Sequence, residues 1–349
     1  MNFGLEIKDK KDLVGICYTM WFNCIFGNDD EPIENVRNVT ELCKEYTFTT
    51  KNGFMNDKGE TKNDSPYFHF WAKPAQGYYR STDKNAHVNS LRLLQKAGVD
   101  FLVLDYTYAS VNGGWGPGTD SWNTYIGGPL TVLLDAIVEL RTNGEKTPYI
   151  LLWPNDSSMF EPLLDNFILK DKWKDCFVYW DGKPFILNWY DRGETYRDDV
   201  TVRSMYGLQR KLHTNRQWSY LEHDNTLTIG RNDKGEPEHM TTCVAAQLNY
   251  MSFTDCAQGR DGGRFWNKQW RNAFEVHPKI VTVTWWNEWA AQLLPIEGWG
   301  YGFTDNFNRD YSRDIEPMEG GHGDLYYRWL CEYVRAYKNH EACPTLTED

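Results

Sequence analysis

Short runs of apolar and β-branched residues alternate along this chain with longer stretches whose apolar positions recur every three or four residues. "LVGICYTMW" (13–21) reads as a first strand, and "HVNSLRLLQKAGVD" (87–100) as an amphipathic helix stopped at a glycine. Strand "FLVLDY" (101–106), helix "LTVLLDAIVELRTNG" (130–144) and strand "PYILLWP" (148–154) follow in the same rhythm. Helix "FEPLLDNFILK" leads into "CFVYWDGKPFILNWY" (176–190), where Asp181-Gly182 marks a tight turn before a buried strand. A helix over 198–213, a strand at "QWSYLEH" (217–223) and a strand candidate at "CVAAQLNYM" (243–251) come next. A helix over 264–277 then feeds "VTVTWW" (281–286), and "DLYYRWLCEYVRAYK" (324–338) closes the chain as a helix.

Seven or eight strand-helix units make a (β/α)8 TIM barrel the expected fold, in one domain spanning 1–349. Two segments depart from simple units. Residues 46–80 are polar and turn-rich and predict an insertion over the barrel, while 290–322 predict a long loop on its C-terminal face. "NDKGE" occurs at 56–60 and 232–236, and both copies read as hairpin tips.

In such a fold the chemistry sits where strands end at their C-termini. That rule selects Asp105, Asp156, Asp191, Glu222, His223, Asp224, Asp255 and Glu288. Each has a plainer reading as a cap, turn or ion-pair residue. That reading is weakest for Glu288, because a carboxylate among Trp285, Trp286 and Trp289 needs a partner or a raised pKa.

Composition narrows the chemistry. The chain holds 16 Trp, 21 Tyr and 17 Phe, and aromatic faces beside polar groups suit sugar rings. Trp71, Trp115, Trp153, Trp189 and Trp286 are candidate stacking platforms. Asn287, His223, Tyr106 and Arg80 are candidate hydroxyl or charge ligands. Two carboxyl groups facing a sugar perform glycoside hydrolysis, one protonating the leaving oxygen and one attacking the anomeric carbon or activating water. Glu288 and Glu222 are the principal candidates here, with Asp105 third.

A net charge of −12 argues against nucleic acid or anionic membrane as partner, and no apolar run approaches the ~20 residues of a spanning helix. A carbohydrate is the expected partner, and oligomeric state is not legible. There is no Walker A, GxSxG or HExxH motif, and neither "GGWGPG" (113–118) nor "GGHG" (320–323) lies between a strand and a helix. Eight scattered histidines suggest no ligand set, so no metal and no cofactor is expected. The acidic cluster Asp305, Asp310, Asp314 and Glu316 has the oxygen chemistry for Ca²⁺, but pairing with Arg309 and Arg313 is the favoured reading. Eight cysteines without a CxxC pair predict mostly reduced, buried thiols. The N-terminus has no apolar signal core, so a secreted or cell-surface module without its signal peptide is expected, with a cytoplasmic protein as the other option.

Several stretches taken together resemble glycoside hydrolases of the family 71 and family 99 type. They are "YFHFWAKPAQGYYRSTD" (67–83), "AGVDFLVLDYT" (97–107), "WDGKPFIL" (180–187), "WNEW" (286–289) and "SRDIEPMEGGHGDLYY" (312–327), the last suggesting a bacterial branch. The resemblance implies a (β/α)8 enzyme acting on α-linked glycans. It also brings a departure: endo-mannosidase members carry E-x-x-E, and here Ala291 stands where the second glutamate belongs. Only Glu288 carries over, so its partner must come from another strand end. An endo-acting enzyme on a mannan- or fucan-type glycan is the expectation, and a barrel that binds carbohydrate without cleaving it is the alternative. A sulfated glycan would need cations, which Arg80, Arg192, Arg231, Arg260 and Arg264 are placed to supply.

Overall fold

The computed structural model describes residues 3–26, 33, 36–63, 68–106, 116–154, 157–188, 197–205, 217–221, 228–247, 257–296, 298, 300–303 and 306–348. Its centre is a mainly parallel sheet. Strand β1 (Leu13–Thr19) lies between β2 (Phe101–Tyr106) and β7 (Ile280–Thr284), with Thr19 beside Asp105 and Ile16 beside Val283. Outward from β2 come β3 (Tyr149–Pro154), β4 (Lys183–Asn188) and β5 (Thr201–Ser204), all parallel. On the other side, β6 (Pro237–Cys243) pairs with β7 in parallel. Among the described residues these ladders form an open order running from β6 through β1 to β5.

The helices behave as their patterns predict. Helix α1 (Lys84–Lys96) starts at Asp83, whose side chain accepts the backbone N–H groups of Asn85 and Ala86. It is followed by Gly98 at φ +81, a left-handed turn that suits glycine. Helices α2 (Gly127–Thr142), α3 (Arg264–Val276) and α4 (Leu325–Lys338) pack with α1 against one face of the sheet. That face alternates residue by residue with the opposite one. Val14, Ile16, Leu102, Leu104, Ile150 and Val281 meet the helices, while Leu13, Cys17, Phe101, Val103, Leu151 and Ile280 fill the other side.

The face away from the helices is concave and packs on itself. Trp153 of β3 reaches Trp285, just beyond β7, with ring centroids 6.2 Å apart, although β2 and β1 lie between those strands. The two ends of the strand order also touch. Arg203 of β5 donates to Glu238 of β6 at 3.0 Å, and Trp218 stacks on His239 at 4.3 Å and 4°.

Three expectations are corrected. Residues 201–204 form strand β5 within the span read as helix 198–213, and 206–216 lie outside the described residues. Of the strand expected over 243–251, Cys243 is the last residue of β6, which runs over "PEHMTTC". Ala246–Gln247 form a short strand paired antiparallel with Ala257–Gln258, and 248–251 lie outside the described residues. Four of the buried positions of β6, Glu238, His239, Thr241 and Thr242, are polar, which disguises it: the Nε2 of His239 bonds Thr282 Oγ1 at 2.8 Å, and Thr241 also bonds Thr282. The 290–322 link is not a plain loop. Its first part is strand β8 (Ala290–Ile296), which pairs antiparallel with Gly300–Phe303 and with Phe68–Phe70 of the insertion. Both "NDKGE" segments are hairpin tips of one design, with Asn56 and Asn232 accepting backbone N–H groups two and four residues on.

Candidate active site

Strand β7 is five buried residues, and the backbone after it is fixed at nearly every peptide. The Trp285 N–H donates to Arg313 O, and Trp286 N–H donates to Cys17 O of β1 at 2.9 Å. Trp286 O accepts from both Ile315 and Glu316, and Trp289 O accepts from Trp71. The Thr284–Trp285 peptide is cis. Glu288 is held within this frame, 7% exposed, with its Oε2 accepting from Arg313 Nε at 2.7 Å. The guanidinium of Arg313 also lies 5.8 Å from the Trp285 ring centre. The buried carboxylate therefore has the cationic partner its surroundings demand.

Asp105 stands near it on the same rim. It occupies the end of β2, opposite Thr19 of β1, and accepts the indole N–H of Trp21 at 3.0 Å. Thr19 is also held from the other side, since its N–H donates to Asn287 Oδ1 at 2.8 Å. Asp105 and the Asn287–Glu288 pair thus flank the end of β1, on strands two ladder steps apart, or about 10 Å between backbones. The Cys17 thiol feels both carboxylates: burial pushes its pKa well up, the charges of Asp105, Cys243 and Glu288 add to that, and Arg313 opposes it.

A second carboxyl network braces this frame from behind. Asp314 accepts from Trp71 Nε1 at 2.6 Å and meets His322 Nε2 at 2.9 Å, with Arg260 at 3.6 Å. Glu316 accepts from Trp289 Nε1 at 2.6 Å, from Tyr79 OH at 2.7 Å and from Gln76. Burial pushes the Glu316 pKa up to about 7 against those three donors, with Asp314 adding to the rise.

Several sequence-based assignments change here. Trp286 is a core residue on the helix side of the sheet, its N–H donating to Ser90 and its ring against Tyr327, so no face is left for a sugar. Trp71 is buried against Trp289 at 5.9 Å with its N–H on Asp314. Tyr106 also points to the helix side, where its hydroxyl is buried with no hydrogen-bond partner among the described residues. Asn287 is fully buried and bonds backbone, donating in addition to Tyr79 OH at 3.2 Å. Trp153 does face the concave side, but it is buried there, edge-on to Tyr220 at 4.7 Å and near Trp285, so it too offers no open face for a sugar. Arg80 is half-buried beside Asn23, Ser81 and the start of α1. Arg231 lies in the hairpin at the start of β6, the end of the sheet away from Glu288. Arg260 is buried on Ser312 and the Asp314 carbonyl, and Arg264 pairs with Asp261.

Trp115, Trp189, Arg192, Glu222 and His223 lie outside the described residues, as do Asp156, Asp191, Asp224, Asp255 and Asp305. Among the described residues, Arg313 pairs with Glu288 and Arg309 with Glu348, while Asp310 accepts the Asp261 N–H; Asp305 lies outside them. Arg313, Trp21, Tyr79 and Glu316 are the groups that reading for strand-end carboxylates misses, and the dense charge of "SRDIEP" is the one signal for Arg313 and Glu316.

No protein-family model and no curated protein matches this sequence. In fold the chain is similar to the GH99 endo-α-mannosidase from Bacteroides thetaiotaomicron, with a TM-score of 0.51 at 15% identity over 95% of this chain and 99% of that one. A structure of that enzyme in complex with bis-tris-propane gives the same TM-score at 14% identity, with the same coverage. The family likeness read from the motifs therefore holds at the level of the fold.

Proposed function

We propose that this protein is a glycoside hydrolase that cleaves an α-linkage within an oligo- or polysaccharide, using carboxyl groups on the rim around Glu288. The observation carrying the reading is Glu288 itself, buried just beyond a strand's C-terminal end and paired with Arg313, with Asp105 on the same rim. A guanidinium beside a carboxylate favours its ionised form, which suits Glu288 to the nucleophile or base role. The acid then comes from Asp105 or Glu222. Segment 217–221, which ends just before Glu222, lies against the end of β7, where Thr284 Oγ1 donates to the Tyr220 carbonyl at 2.6 Å. We take the sheet to close as a (β/α)8 barrel in one domain, supported by the Arg203–Glu238 and Trp218–His239 contacts between its outer strands. Trp115, Trp189 and His223 are retained as substrate contacts.

The fold likeness and the missing E-x-x-E glutamate support an endo-acting enzyme on a mannan- or fucan-type glycan, distinct from an endo-α-mannosidase in its acid. The test is release of reducing ends from a panel of α-mannans and fucans, comparing wild type with Glu288→Gln, Asp105→Asn and Glu222→Gln. Glu288→Gln and one of the other two should each lose about 10²–10⁴-fold in turnover. Glycan binding with no turnover by wild type would instead support the non-cleaving carbohydrate-binding protein, the reading that Ala291 favours.

A further inference from the structure

Six of the eight histidines lie among the described residues, and four of those, His69, His87, His239 and His322, are buried. The other two, His277 and His340, meet at one carboxylate. Asp12 Oδ1 lies 2.7 Å from His277 Nε2, and Asp12 Oδ2 lies 3.2 Å from His340 Nε2. The two imidazoles stack with centroids 4.4 Å apart at 25°, so both Nε2 atoms face the same carboxyl group. All three ligand atoms lie within 4.8 Å of one another.

We propose that Asp12, His277 and His340 form a binding site for a divalent transition cation, with Zn²⁺ as the reference ion. Two imidazole nitrogens and a carboxylate oxygen match the borderline donor preference of Zn²⁺ and exclude the all-oxygen habit of Ca²⁺ and Mg²⁺. Ligand bonds of about 2.0–2.2 Å in a tetrahedron put donor atoms about 3.3 Å apart. Two of the three separations, 2.7 and 3.2 Å from the Asp12 carboxyl group to the imidazoles, lie within an ångström of that value, and the third is no more than 4.8 Å. His340 is 62% exposed at its side chain, which leaves an entry path and room for a water as fourth ligand.

The site lies at the end of the sheet remote from Glu288. Asp12 directly precedes β1, His277 caps the C-terminus of α3 ahead of β7, and His340 follows the last turn of α4. The seven residues of β1 span about 20 Å between this end and the Glu288 rim. A cation here would tie the start of β1, the α3–β7 turn and the end of α4 together, and would act on stability rather than on turnover. His277 is already fixed for that role, its ring stacked on Tyr337 at 4.5 Å and its N–H donating to Ala273 O.

The inference is independent of the glycosidase reading and is tested without it. Full-length protein free of any polyhistidine tag is titrated with Zn²⁺ by calorimetry, and Co²⁺ is followed by its visible absorption. Wild type should bind one Zn²⁺ per chain at low micromolar affinity or tighter, with a rise in Tm that Ca²⁺ and Mg²⁺ do not produce. His340→Ala, at an exposed position, should keep the metal-free Tm while losing at least tenfold in affinity, together with the Tm rise and the Co²⁺ bands. Asp12→Asn should weaken binding in the same direction. Absence of saturable binding, or Zn²⁺ binding unchanged in His340→Ala, overturns the site.

Discussion

Arg313 Nε lies 2.7 Å from Glu288 Oε2, joining two residues that are 25 positions apart in sequence and both almost wholly buried. The pairing sets the charge at the centre of the proposed site, and it links the end of β7 to the "SRDIEP" segment. Trp285 N–H to Arg313 O, and Ile315 and Glu316 N–H to Trp286 O, run alongside it as backbone bonds.

Removing one partner of a buried pair leaves the other charge uncompensated. Arg313→Met should therefore cost about 3–5 kcal/mol in urea unfolding. The double variant Arg313→Met/Glu288→Gln should be less destabilised than Arg313→Met alone, because the buried carboxylate that lost its cation is gone. If the double variant instead shows the simple sum of the two single effects, the pair is not coupled.

Asn287 gives a second prediction. It ties the end of β1 to the end of β7, accepting from Thr19 N–H at 2.8 Å, and donates to Tyr79 OH at 3.2 Å. Asn287→Ala should destabilise by about 1–3 kcal/mol through the unsatisfied Thr19 N–H. Its effect on turnover would come through displacement of Glu288. A variant with wild-type stability and a raised KM would return Asn287 to direct contact with substrate, the role its sequence position suggests.

The parts of this molecule legible in its sequence are those where pattern and burial agree. "FLVLDY" is an unbroken buried run and "VTVT" alternates, so Asp105 at the end of β2 and Glu288 just beyond β7 are found by position alone. Strand β6 escapes because its interior holds Glu238, His239, Thr241 and Thr242, polar groups that satisfy one another across strands and look like a surface run. The tryptophans divide for another reason. Alternation breaks after β7, where Trp285 joins the concave face and Trp286 the helix side, and no local pattern announces the break. Arg313 was beyond reach because an arginine amid four nearby acids offers no signal that its partner is 25 residues away.

Gly15 tests the packing of the concave face. It sits in β1 opposite Phe101 of β2, and a Cβ placed on it would lie 2.3 Å from the Phe101 ring. The backbone at Gly15 must leave that volume to the phenyl group, which fills the face away from the helices. Gly15→Ala should lower stability by about 1–3 kcal/mol through overpacking, read as a fall in Tm. Combining it with Phe101→Leu, which removes the clashing ring edge, should recover part of the loss. Equal Tm values for wild type and Gly15→Ala would show that Phe101 has room to move.

The pH response of stability should carry the mark of Glu316. Its carboxyl is fully buried, and its pKa is raised by burial from 4.5 to about 7 despite hydrogen bonds from Trp289, Tyr79 and Gln76. Between those two values the folded chain holds a proton that the unfolded chain has released. Stability therefore falls as pH rises through that window, and it is at its highest from this group at and below pH 4.5. At about 1.36 kcal/mol per pH unit, the displacement from 4.5 to about 7 is worth on the order of 3 kcal/mol. Glu316→Gln removes the titration while keeping the side chain's shape. The stability of Glu316→Gln relative to wild type, from urea unfolding, should therefore improve between pH 5 and pH 8. Groups common to both proteins cancel in that difference, so the change isolates Glu316. Profiles that stay parallel across this range would mean that the Glu316 pKa is not displaced on folding, and that its three donors hold it ionised.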